Sequence, residues 1–151
     1  MNRLNRNSSF LASWHFDLVS IDMAELHELA AVYLRLAWAS ERRHRPLVRD
    51  KLLVLGGACA SMMGEEAAAE DCRTRILANN TGHMLRRFES FAEALTDPDF
   101  RHYLDHLEKR YSLEKGEMML EQLAVSLPRR VEYSSDAAFL AALLEVDPDE
   151  L

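Results

Sequence analysis

Residues 52–63 read LLVLGGACASMM, twelve positions in a row without a charge. A membrane span needs about 18–20 such residues, so this run is too short to be one. Nor does it alternate as a half-buried strand would. Pro46 stands six residues upstream, where a first helical residue tolerates proline. The stretch therefore predicts a helix from Pro46 to about Met63, apolar all round and so buried. Gly56 and Gly57 lie inside it, followed by Ala58, Ala60 and Ser61. Each glycine costs about 1 kcal/mol against alanine in a helix, so a packing reason is expected, with another backbone approaching this small-residue face.

The flanking sequence obeys the same period. Upstream, Met23, Leu26, Leu29, Ala30, Tyr33, Leu36 and Ala37 form one apolar stripe of a helix from about Met23 to Arg43, widened by Leu34 and Trp38. Asp22 and Glu25 have the spacing of a capping box at its start. His27 borders the stripe and reads as a partly buried structural histidine. Downstream, Gly64 stops the apolar helix and a third runs to about Asn79. A fourth is predicted from Asn80 or Thr81 to about Leu95, with Met84, Leu85, Phe88, Phe91, Ala92 and Leu95 on one face. Asp97 and Pro98 open a fifth, and Ser112 a sixth that ends at Leu127, before Pro128. Residues 129–135 read as a linker, and a short helix from Asp136 to Glu145 leads to an acidic tail. The expectation is an all-α, single-domain bundle of about six main helices with short loops. An apolar arm (1–20) precedes a core (21–128), and a C-terminal segment (129–151) follows.

The chain has 151 residues and a net charge of −7. That balance opposes a general nucleic-acid or anionic-membrane binder, whose affinity comes from lysine and arginine, unless a local basic patch overrides it. Cys59 and Cys72 are predicted to be reduced thiols inside helices, which points to the cytoplasm. The arm is too short and polar in its apolar part for a secretory signal. The closing PDEL is read as a chance likeness to a retention signal.

Four constellations carry candidate chemistry. Asp99, His102 and His106 share one helical stripe, and two imidazoles with a carboxylate can ligate zinc. Lys109 stands beside them, and a bare surface helix offers no second shell to lock the rings, so an ordinary solvated face is the simpler expectation. Glu65, Glu66, Glu70 and Asp71 crowd one helix as a possible divalent-metal site for nucleotide hydrolysis. The next helix lacks a matching acidic pair, and the acids also suit the helix dipole and pairing with Arg73 and Arg75. Asn80, Thr81, Gly82, His83, Arg86 and Arg87 resemble a helix start that binds an anion or a partner's carboxylate through backbone amides. Finally, Phe10, Leu11, Trp14 and Phe16 make the arm too apolar for water, so it is expected to cover a groove on its own bundle or on a second copy.

No Ser/His/Asp arrangement, nucleophile elbow or phosphate-binding glycine loop is present. The sequence thus favours a non-catalytic helical protein-interaction module expected to self-associate, with a protein or itself as partner and no cofactor. A small metal-dependent helical hydrolase is the rival.

Overall fold

The computed structural model describes residues 22–151; the arm, with Phe10, Leu11, Trp14 and Phe16, lies outside the described residues. Those residues form seven α-helices and three 3-10 turns, and no strand among them. The helices are α1 (Met23–Arg42), α2 (Pro46–Met62), α3 (Glu66–Asn79), α4 (Phe91–Ala94), α5 (Pro98–Arg110), α6 (Leu113–Gln122) and α7 (Asp136–Leu144). The 3-10 turns cover Met84–Arg87, Arg130–Glu132 and Pro148–Glu150.

α2 is the axis of the fold. Eleven of its 17 residues are buried, against α1 on one side, α3 on another and α4 and α5 on a third. The two glycines admit neighbouring side chains, not the backbone that the small-residue stretch suggested. A Cβ on Gly56 would lie 2.4 Å from Leu34 Cδ2, and one on Gly57 would lie 2.5 Å from the Phe91 ring and 3.1 Å from the Cys72 Cβ. α1 in turn packs on α6 and α7, and Gly116 of α6 lets Val32 close in. α7 contributes Phe139, Leu140, Leu143 and Leu144 to the same core cluster, so the C-terminal helix is part of this single domain. Cys59 and Cys72 are free and fully buried, and burial raises both thiols far from their ionising range.

Capping residues set most boundaries. The Asp22 carboxylate accepts from the Ala24 amide, Asp97 from Phe100, Ser112 from Lys115 and Ser135 from Ala138. His27 is partly buried as expected: its Nε2 lies 2.9 Å from Asp136 Oδ1 and its ring meets Phe139 edge-on. Asp136 also accepts from Arg130 Nε, so one carboxylate ties the start of α7 to α1 and to the preceding turn.

Two predicted helices are corrected. The span 81–95 is not one helix but a 3-10 turn, an extended stretch and the single turn α4. Ser90 breaks it. Its hydroxyl accepts from the Glu93 amide while Glu93 Oε1 reaches back to the Glu89 amide, a reciprocal capping arrangement in the middle of the supposed helix. The break frees Phe91 to turn onto Gly57, while Phe88 stacks edge-on against Phe100. α6 ends at Gln122 rather than Leu127, because Ala124 adopts a left-handed conformation with φ 57°. The Ala124 amide then bonds to Glu121 O and the Val125 amide to Leu120 O, a Schellman closure that returns Val125 and Leu127 to the core.

Two carboxylates are buried among the described residues, Asp50 and Glu108, and only the second lacks a partner on one oxygen. Glu108 of α5 is 3% exposed and, among the described residues, its Oε1 has no hydrogen-bond partner. Tyr33 of α1, fully buried nearby, directs its hydroxyl at Tyr111 O. Burial pushes the Glu108 carboxyl up to about 7, with Asp105 adding to the rise and Lys109 and Lys115 opposing it.

Two stability measurements test this packing. Gly57→Ala should destabilise by about 1–3 kcal/mol in urea unfolding, since the clash with Phe91 and Cys72 outweighs the helical gain of about 1 kcal/mol; an unchanged or raised midpoint would refute the close approach. Glu108 holds a proton in the folded chain between its ordinary 4.5 and about 7, where the unfolded chain has lost it. Its stability cost is therefore absent below that window, grows as pH rises through it and is complete above it. Glu108→Gln should thus match the parent near pH 4 and gain on the order of 1 kcal/mol by about pH 8.

Candidate functional site

The sequence-derived candidates come apart into local contacts. Asp99, His102 and His106 are exposed on α5. In the acidic cluster, Glu66 accepts from Ser61 Oγ at 2.9 Å, Glu70 pairs with Arg73 at 3.1 Å and Asp71 with Arg75 at 2.8 Å, while Glu65 ends the preceding turn. Among the described residues, no group of three or more His, Cys, Asp and Glu side chains is placed to hold a metal ion.

The 80–87 constellation is not a helix start. Asn80 is extended at φ −134°, not left-handed, and it is His83 rather than Thr81 that caps the following four-residue 3-10 turn. The Gly82 amide donates to Asn80 Oδ1 and the Leu85 amide to His83 Nδ1, so these two amides are already engaged. Arg86 bonds to Thr81 O, and Arg87 lies over the Phe88 ring. His83 is half-buried against Tyr103, and burial lowers its tendency to take a proton.

What the helices do bring together is a cleft of about 380 Å³ between α1, α2, α3 and the end of α7. Its apolar surface is Leu34, Ala37, Leu53, Leu143 and Leu144; its polar edge is Trp38, Glu41, Arg42, Arg49, Arg75 and Glu145. Arg35, Trp38 and Arg42 are spaced three and four apart, so they stack along one face of α1. The Arg35 guanidinium lies 4.1 Å from the indole centroid and that of Arg42 5.0 Å, a cation–π pair of contacts.

Two of the arginines are fixed in place. Arg49 donates to Glu41 at 2.9 Å, to the buried Asp50 at 2.8 Å and to Arg75 O at 3.2 Å. Asp50 takes a further bond from Asn79 Nδ2, so its burial is compensated on both oxygens. Its partners Asp50 and Glu41 hold Arg49 charged, outweighing burial, which acts the other way. Arg75 pairs with Asp71 and donates to Leu144 O at 3.0 Å, placing a cation on the last carbonyls of α7, where the helix dipole favours one. These bonds lock α2, α3 and α7 around the cleft. Arg42 is different. It is exposed, and among the described residues it meets the Trp38 ring and no carboxylate.

Arg42 also opens the most basic stretch of the chain, ERRHRPLVR at 41–49. Four of the 18 lysines and arginines fall there, against one glutamate. Residues 41–47 are all exposed; Arg42, Arg43 and Arg45 stand at and beside the α1–α2 turn, and of the three it is Arg42 that lines the cleft. Sequence reasoning passed over this patch, although both its charge density and the Arg-x-x-Trp-x-x-x-Arg spacing were visible. The arrangement offers cations, an aromatic face and an apolar floor, and it places no general base beside a nucleophile. Among the described residues, no helix is long and apolar enough to cross a membrane. No family model, curated protein or solved structure matches the chain.

Proposed function

We propose that the chain is a non-catalytic interaction module that takes an acidic segment of a partner protein into the Trp38 cleft. The observation that carries this is Arg42, a guanidinium resting on Trp38 at the cleft mouth with no carboxylate of its own among the described residues. A partner's aspartate or glutamate supplies the missing charge, and its stem lies along the half-buried Trp38 indole. Exposed ion pairs contribute only about 0–1 kcal/mol each, so the half-buried indole has to anchor the contact while the arginines select its sign. A long polyanion suits the site less well, because Glu41 and Glu145 interrupt the basic edge and the whole chain is net negative. The two buried, unpaired thiols suit the reducing cytoplasm. The hydrolase alternative has less to support it, since three of the four clustered acids are engaged by Ser61, Arg73 and Arg75.

The chain has two tryptophans, Trp14 and Trp38, so a Trp14→Phe background makes Trp38 the sole indole reporter. Titration with a short peptide of aspartate, glutamate and leucine should change its emission, with a Kd on the order of 10 μM that weakens as salt rises. Arg42→Ala should weaken binding about tenfold, the equivalent of 1.4 kcal/mol. Unchanged emission, or tighter binding of an oligonucleotide of equal charge, would reject the proposal.

A further inference from the structure

We infer that the acidic segment seated in the cleft belongs to a second copy of this chain: Asp147, Asp149 and Glu150 of one copy lie against Arg42, Arg43 and Arg45 of the other, across a two-fold axis near the end of α7. This rests on the cleft reading above and names its partner. Leu143, Leu144 and Glu145 wall the cleft, and the acidic 3-10 turn Pro148–Glu150 begins three residues later. Basic and acidic patches are thus joined through one helix end. A surface with both signs side by side complements itself when turned about a two-fold, so each contact is made twice.

The acidic turn is also held out for such use. Asp147 Oδ1 accepts from the Asp149 amide at 3.0 Å, the Glu150 amide donates to Asp147 O, and the turn packs on α7. Asp147, Asp149 and Glu150 are exposed, and among the described residues none of the three forms an ion pair within its own chain. The chain therefore keeps a preformed acidic turn and a basic rim apart, each without an oppositely charged partner among the described residues. Two molecules of net charge −7 repel at long range. At physiological ionic strength that repulsion is screened beyond about 8 Å, while opposite charges in contact still attract. Association is accordingly local, symmetric and sensitive to salt.

Sedimentation or light scattering on the full chain tests this by exchange of charge. The unaltered chain should be a dimer at about 0.1 mM protein in low salt and should dissociate as salt exceeds about 0.5 M. Arg42→Glu with Arg45→Glu, and separately Asp149→Lys with Glu150→Lys, should each give a monomer with an unchanged circular dichroism spectrum. An equimolar mixture of the two should restore a dimer, because each rim then faces a turn of opposite sign. A monomeric parent chain, dimers that survive either reversal, or a mixture that stays monomeric would overturn the inference. If the parent is monomeric while an acidic peptide still alters Trp38 emission, the second copy is ruled out and the cleft function stands. If the peptide has no effect and the mixture stays monomeric, both fall.

Discussion

The close approach at Gly56 and Gly57 is the contact from which the rest of the structure follows. With no Cβ at these two positions, Leu34 seats on one side of α2 and the Phe91 ring on the other, both fully or almost fully buried. Burying a side chain of this size stabilises by about 1.5–3 kcal/mol, more than the roughly 1 kcal/mol that a glycine costs a helix. The same gap lets Cys72 come close, which fixes the distance between α2 and α3. Leu34 sits one turn before Trp38, and Arg75 sits three residues after Cys72. The packing that admits two apolar side chains therefore also determines how far apart the cleft's aromatic and basic walls stand.

A second layer of constraint is electrostatic. Asp50 is a buried carboxylate, which would be costly if unpaired; Arg49 and Asn79 satisfy it. Through Arg49 the charge is linked to Arg75 O, and through Arg75 to the end of α7. Three of the four helices around the cleft, α2, α3 and α7, are thereby held by hydrogen bonds to charged groups, which are directional, in addition to apolar contact, which is not. The exposed arginines of the rim are outside this network. A frame held in this way loses little conformational freedom when a ligand binds, because only rim side chains have to be ordered.

The long helices were legible in the sequence because their signals are local. Pro46, Gly64, Asp97 with Pro98, Ser112 and Ser135 each mark a boundary through their own backbone chemistry, and each does so in the folded chain. The misplaced ends have local causes too. The Ser90–Glu93 spacing is a capping signature inside a segment whose apolar period looked continuous, and the period was the wrong guide. Ala124 carries no such mark: alanine is a good helix former, and only the pull of Val125 and Leu127 toward the core explains its left-handed turn. The cleft was illegible for a different reason. Trp38, Arg49, Arg75 and Leu144 lie on four helices, and spacing along any one of them says nothing about convergence. Trp38 read as a widening of the apolar stripe, and half of it is that.

The distribution of arginines gives the α1–α2 turn its meaning. Across the fold this residue is used to close loops: Arg73 donates to Phe88 O, Arg75 to Leu144 O, Arg86 to Thr81 O, Arg101 to Leu95 O and Arg130 to Tyr133 O. Each guanidinium there satisfies a carbonyl at the end of an element, where the backbone lacks its own donor. Such arginines are structural, and removing them should cost stability rather than binding. Arg42, Arg43 and Arg45 follow a different pattern. The turn they occupy is closed without them, by the His44 amide on Glu41 O and the Arg45 amide on Ser40 O. Their side chains contribute nothing to that closure and are exposed. Arg42 and Arg43 stand at the C-terminal end of α1, where the helix dipole favours a cation, and Arg42 also rests on Trp38. Arg45 has no such gain: it stands at the start of α2, where the dipole opposes a cation, and three like charges within four residues repel one another. In the proposed reading a surface of opposite sign relieves that repulsion at the rim of the Trp38 cleft.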